Sequence, residues 1–256
     1  MKIKLSLKKT VDENAGEYYQ KAKKAKKKIQ GAQKTVDLMK IRLEREKLTQ
    51  KKQLEKQKRQ QEEKARKKKW FEKFKWFYTS NGYLVIAGRD SSTNEEVVKK
   101  HAESDDLVFH TELPSSPFTV IKNGKKSDDI DKTEAAQFTA CHGKAWDMGL
   151  KRSEVFYVEP SQLSKTPKSG EYISKGSFIV TGKRNFITVT IDLAATIKDH
   201  VVMIAPPSAA KQGEKVIKIE QGNLKKGEAS NKIMKKLGLT TNDDILKNLP
   251  NGRFKI

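Results

Sequence analysis

The chain has 256 residues, 35% hydrophobic and 34% charged, with 54 Lys and Arg against 32 Asp and Glu and a formal net charge of +22. That length allows one ordinary domain plus an extension, and that charge calls for a polyanion, nucleic acid first, because neutralising phosphates releases counterions. A membrane role is set aside: no stretch approaches the apolar run that spans a bilayer, no secretory leader is expected at Met1, and the basic N-terminal part carries mostly Ala where an interfacial helix needs Leu or Phe.

The single cysteine, Cys141, allows no disulfide framework and fits a reducing, cytoplasmic compartment. The charge is unevenly spread. Residues 1–70 hold 25 Lys and Arg against 9 Asp and Glu, so 16 of the 22 net charges lie there, while nearly all the aromatics come later. We therefore expect a basic arm over 1–69, a core-forming domain over 70–205 and an extension over 206–256 that packs on the domain.

Lys2-Ile3-Lys4-Leu5-Ser6-Leu7 alternates polar with apolar and reads as a short strand. Asp12 or Asn14 can then cap a helix running to about Phe77, some 60 residues and about 90 Å long. Its seam is Ala15, Tyr18, Ala22, Ala25, Ile29, Ala32, Val36, Met39 and Leu43, spaced alternately by three and four. Four heptads of such a stripe make a coiled coil. In the same frame Glu46, Gln50, Gln53, Gln57 and Gln60 follow, so the seam stops while the helix continues. Either the helix folds back at Gly31 into a hairpin, or the facing helix comes from a second copy or a different protein. The Lys-rich outer face is either a solvated surface or an RNA contact.

Trp70–Phe77 is an aromatic cluster that closes the arm and supplies core. Tyr78–Ala87 reads as a strand pair around a two-residue Asn81-Gly82 turn. After Gly88-Arg89-Asp90 we expect a helix over 94–101, strands over 107–110 and 118–121, and a helix from about Lys132, with Thr133 as a possible cap, to Gly149. Strands over 154–158, 178–181 and 186–191 follow. The fold class is α+β, a long N-terminal helix and then a mixed, mostly antiparallel sheet with helices. In the extension, 216–219 reads as a strand and 230–237 as a helix stopped by Gly238, with a last helix from Asp243 or Asp244 to before Pro250.

Several runs resemble the NFACT-R domain: Trp70–Phe77, Tyr83-Leu84-Val85-Ile86, Gly88-Arg89-Asp90 with Asn94-Glu95, and Ala145-Trp146-Asp147. So do Leu163-Ser164-Lys165-Thr166-Pro167, Gly170-Glu171-Tyr172, Gly176-Ser177-Phe178 and Gly182-Lys183-Arg184-Asn185-Phe186. That domain belongs to the family of the eukaryotic nuclear export mediator factor, its yeast counterpart and bacterial proteins once called fibronectin-binding. Leu5-Ser6-Leu7, Asn14-Ala15 and Tyr18-Tyr19 resemble the lead-in to the family's second coiled-coil arm. Lys225–Ala229, Asp243-Asp244-Ile245 and Leu249-Pro250-Asn251-Gly252 resemble the tail of archaeal members. The resemblance implies a factor that binds large ribosomal subunits blocked by a stalled nascent chain, holds tRNA and supports mRNA-independent addition of alanine, with threonine as well in yeast. The family's NFACT-N domain, with its Asp-Arg pair associated with tRNA use, has no counterpart in this sequence, and Arg89-Asp90 is a different motif. Where eukaryotic members carry a His-Ala-Asp-Leu-His-Gly-type run, this chain has His110-Thr111-Glu112-Leu113-Pro114-Ser115.

RNA is held by cations on phosphates and flat groups under bases. The candidate contacts are Lys165, Lys168 and Lys175 around Pro167 and Gly170, the turn Lys183-Arg184-Asn185, and Arg89. Each has an alternative: Arg89 and Asp90 organise the fold, Lys183 and Arg184 are turn charges, and Tyr172 and Trp146 are core. We expect no enzyme, cofactor or metal. His101, His110, His142 and His200 form no helical metal pair, and Cys141 reads as a buried residue in a helix interior rather than the nucleophile of a Cys141-His142 pair. Asp105-Asp106 and Asp128-Asp129-Asp131 read as solvated loops rather than Mg²⁺ ligands of a nuclease. The expected function is a tRNA- and rRNA-binding component of ribosome quality control, paired through the seam with an NFACT-N-bearing partner. The alternative is a stand-alone, possibly homodimeric RNA-binding protein in tRNA or rRNA maturation.

Overall fold

The computed structural model of the chain describes residues 3–65, 68–166 and 173–256 and divides into two units, Met1–Ala65 and Arg66–Ile256. In the first unit the expected strand does not form. Residues 3–6 are irregular, and side chains of the following helix satisfy their backbone. The Asn14 amide accepts from Ser6 N at 2.9 Å and donates to Ser6 O at 3.1 Å, and the Tyr18 hydroxyl donates to Lys4 O at 2.8 Å. A lone strand has no neighbour to take its N–H and C=O groups, and these side chains take them instead.

The helix α1 is Val11–Ala65, 55 residues long. Its cap is Thr10 rather than Asp12 or Asn14: Glu13 N donates to Thr10 Oγ1 and Thr10 N to the Glu13 carboxylate at 2.8 Å, a capping box. The helix runs through Gly31 unbroken, which overturns the hairpin reading. All nine seam residues are exposed in this chain.

The arm helix was expected to reach Phe77, but Trp70–Lys73 is a 3₁₀ turn and Lys75–Tyr78 is already strand β1. Strand period explains this, since Lys75 and Phe77 share one face and Trp76 and Tyr78 the other. β2 is Leu84–Ala87, antiparallel to β1. The connection is longer than the expected two residues: Thr79 N donates to Tyr83 O, leaving Ser80, Asn81 and Gly82 as the loop, with Gly82 at φ +87°. Helix α2, Ser91–His101, is capped by Asp90, whose carboxylate accepts from Thr93 N at 2.8 Å. β3 (Leu107–His110) and β4 (Thr119–Ile121) follow.

α3 is Asp129–Cys141, capped by Asp128. Thr133 is not the cap, because its hydroxyl donates back to Asp129 O from inside the helix. The expected run to Gly149 is split: the chain turns at His142, and a short α4 covers Lys144–Asp147. β5 (Arg152–Val158), β6 (Leu163–Ser164), β7 (Ile179–Val180) and β8 (Asn185–Thr190) complete the first part of the unit. A six-stranded sheet has the order β1-β2-β4-β3-β5-β8, every pairing antiparallel, with α3 packed on β3, β4, β5 and β8.

β9 (Leu193–Lys198) and β10 (Val201–Ala205) form a hairpin absent from the expected elements. Beyond α5 (Pro207–Ala210), β11 (Glu214–Leu224) lies between β9 and β12 (Phe254–Lys255), with α6 (Lys226–Leu237) and α7 (Asp243–Asn248) between β11 and β12 in the chain. β10 packs beside β1, and Tyr78 N lies 3.4 Å from the Met203 sulfur. One continuous core joins Phe74, Phe77 and Phe138 to Trp146 and Phe254, each no more than 1% exposed. Among the described residues no helix is long and apolar enough to cross a membrane.

Candidate nucleic-acid interface

A cleft of about 600 Å³ opens where the β2–α2 turn, the β3–β4 connection and the segment before β7 converge. Gly88, Arg89 and Asp90 line one side, His110 and Ser115 another, and Lys175, Gly176 and Phe178 a third, with Lys75 and His142 also contributing. Close packing needs both glycines. A Cβ on Gly88 would meet the backbone of Asn94 at 2.7 Å, and one on Gly176, at φ +82°, would meet Ser91 at 2.6 Å. The ring of His110 stacks on Phe118 at 4.3 Å, and Phe118 meets Phe178 edge-on at 5.2 Å. Burial lowers the pKa of His110, so the wall is aromatic and neutral at pH 7.

Arg89 works for the fold. Its Nη2 donates to Phe74 O at 2.8 Å and Glu72 O at 3.2 Å, and lies 3.5 Å from the Asn248 amide oxygen. Asp90 is held below the usual carboxylate range, first by the Thr93 amide and least by Lys175. Lys165 is committed to Glu95 at 3.1 Å and lies over the Phe178 ring at 5.1 Å. Lys99 first and Lys165 next hold the Glu95 pKa down to about 2. Lys175 is exposed at the rim. Lys168, like Pro167, Gly170 and Tyr172, lies outside the described residues.

Lys183, Arg184 and Asn185 are not part of this cleft. They line a separate groove of about 510 Å³ with Lys132, Tyr157 and Phe186, at the start of edge strand β8. Arg184 pairs with Glu112 and lies over the Phe156 ring at 4.8 Å, whereas Lys183 is exposed. Phe186 is 50% exposed and meets Phe156 edge-on at 6.0 Å. Cations, an exposed ring and a tyrosine gathered in one groove are the elements with which proteins hold single-stranded RNA.

The other candidate chemistry is accounted for by structure. Cys141 is fully buried, its thiol raised well above its ordinary pKa by burial. His142 does not partner it: Nδ1 lies 2.9 Å from Phe138 O and Nε2 2.8 Å from Asn248 O. Asp106 pairs with Lys122 at 2.6 Å, and Asp128 and Asp131 bind the Asn81 amide.

Residues 73–182 match the family model of the NFACT protein RNA binding domain. The chain belongs to the NFACT family. The archaeal Rqc2 homolog aRqcH of Methanocaldococcus jannaschii is 37% identical over 197 residues, 73% of this chain and 29% of that protein. Ribosome quality control complex subunit NEMF of Homo sapiens is 41% identical over 120 residues, 46% of this chain and 11% of its own length. The solved C-terminal part of the fibronectin/fibrinogen-binding protein of Streptococcus suis aligns over 59% of this chain and 51% of its own at 20% identity, with a TM-score of 0.42. The chain thus spans under a third of the curated relatives' length.

Within the second unit, sequence reasoning missed Lys75, Lys132 and Phe186 as lining residues of the two grooves. Lys75 carried a readable signal, a lysine in strand phase with a core phenylalanine. Lys132 and Phe186 carried none, because only folding brings α3 beside the start of β8.

Proposed function

We propose that this chain is an RNA-binding component of cytoplasmic ribosome quality control that contacts tRNA and large-subunit rRNA and acts as a binding module, not a catalyst. The family match over 73–182 carries the reading, and the relatives' names supply the process. The groove at β8 gives RNA a place to lie, and the net charge of +22 gives it a reason to approach. The exposed seam of α1 takes an apolar helix stripe of an NFACT-N-bearing partner.

The test is binding of labelled tRNA and rRNA fragments across a salt series. Lys183→Glu should lower affinity about threefold to tenfold and reduce the salt slope by about 1. Phe186→Ala should weaken binding by about 1–3 kcal/mol with the salt slope unchanged, as expected for a lost stacking platform. Wild-type affinity no tighter than about 10⁻⁴ M at physiological salt would sink the reading. Recovery of an NFACT-N-bearing protein through residues 1–65 supports the seam assignment, and a dimer mass with no such partner replaces it with a homodimer.

A further inference from the structure

The larger cleft has a cation in its floor with which no carboxylate among the described residues pairs. Lys75 stands in phase with core Phe77 and is 8% exposed. Its ammonium has no ion pair among the described residues, and the charges that act on it are cations, Lys226 and Arg89. Beside it the buried Nε of Arg89 has no acceptor among the described residues, although Nη2 is fully used. Two carboxylates come near. Asp90 is taken up by the first turn of α2, Asp244 acts on Arg89, and neither pairs with Lys75. A buried charge without a counter-charge is among the costliest features a fold can carry, unless a ligand supplies the missing anion.

The mouth fits such a ligand. Asp90 already caps the amides of α2, but Ser91 at its start adds a hydroxyl at the mouth, as does Ser177, and Lys175 adds a charge. Gly88 and Gly176 let the cleft walls close on Asn94 and Ser91 of α2. Donors arrive from the floor, from α2 and from the rim, so the guest must accept from several directions. A tetrahedral phosphate does that, and a flat carboxylate reaches fewer of them.

We propose that this cleft is a phosphate pocket, in which Lys75 at the floor, with Ser91, Ser177 and Lys175 at the mouth, seats one phosphate group. Only the source of that phosphate rests on the RNA reading: an RNA phosphate enters here while the neighbouring chain lies across the surface. A small phosphate compound offers the same group.

The full chain is titrated with inorganic phosphate at constant ionic strength, against chloride, following the unfolding midpoint and the lysine side-chain nitrogen resonances. Phosphate should raise the midpoint and shift Lys75, and Lys75→Met should weaken that response about thirtyfold or more. Exposed Lys175→Ala, which cannot disturb the core, should weaken it about threefold. Lys236→Met, the same charge loss on the exposed end of α6, should leave it unchanged. In parallel, Lys75→Met should bind single-stranded RNA about tenfold less tightly. Equal phosphate response in wild type and Lys75→Met, or a response no larger than to chloride, overturns the pocket. If RNA binds but both chains hold it equally and ignore phosphate, the pocket falls and the RNA reading stands. A Lys75-dependent phosphate response without RNA binding keeps the pocket, assigns it to a small phosphate compound and removes the RNA reading.

Discussion

Lys75→Met should make the second unit more stable in phosphate-free buffer at pH 6, by about 1–4 kcal/mol, since replacing an uncompensated buried charge with a hydrophobic group of similar length removes a desolvation cost. For a unit of this size that is a rise of roughly 2–4 °C in midpoint per kcal/mol. The sign follows from the lysine's titration. Burial first, then Lys226 and Arg89, push its pKa down from 10.5 to about 7. Between pH 7 and 10.5 the unfolded chain binds more protons than the folded one, so wild-type stability climbs with pH across that window. Below pH 7 the lysine is charged in both states and the fold carries the whole burden. The advantage of methionine should therefore be largest near pH 6 and shrink toward pH 10.5. Buried His142, pushed down to about 3 by burial and by Lys75, acts in the same direction at lower pH: stability falls as the unfolded histidine protonates below about 6.5. Methionine and wild-type curves that run parallel from pH 6 to 10 would show that Lys75 reaches water freely.

A chain ending at Pro206 should fail to form the second unit at all, although it retains every residue of the family match. Truncation there removes β11 and β12 and leaves β9 without its second neighbour. It also removes Ile219, Ile233, Leu237, Ile245, Leu249 and Phe254, all fully buried. Trp146 would lose Phe254, whose ring lies 5.6 Å away, and its indole acceptor, Arg253 O. His142 would lose the Asn248 carbonyl. Core deletions of this kind cost about 2–5 kcal/mol each, and a whole domain is held by only about 5–15 kcal/mol. Far-UV circular dichroism is a poor reporter, because α1 dominates the helical signal. The near-UV bands of Trp76 and Trp146 should vanish, with cooperative unfolding lost. A truncated chain with native near-UV bands would show that β9 and β10 close the core unaided.

The elements were legible where side-chain period was strong. Leu107–His110 was read to the residue, and Ser91–His101 and Lys226–Leu237 to within four residues at one end. Turn chemistry misled in both directions. Asn81-Gly82, the best two-residue turn signal in the chain, sits in a three-residue loop because Thr79 and Tyr83 close it. The true two-residue turn, Lys198 to Val201, uses Asp199 and His200, both at positive φ, a pair that gives no such signal, and so β9 and β10 were missed. Thr10 was overlooked as the arm's cap because Asp12 and Asn14 offered themselves two and four residues later. For the site, the sequence pointed to the Lys183-Arg184-Asn185 turn and to Gly88-Arg89-Asp90. It had no means of showing that Arg89 is spent on backbone carbonyls, or that Lys165 is spent on Glu95 across 70 residues of sequence.

The unbroken course of α1 through Gly31 has a mechanical consequence. Fifty-five helical residues form a lever about 80 Å long, so a tilt of only about 5° at one end displaces the other by about 7 Å, more than a helical turn. A hairpin folded at Gly31 would have cut that reach to about 50 Å, the length of its longer limb. A small rotation at the base of the arm is thereby converted into a large sweep at its tip.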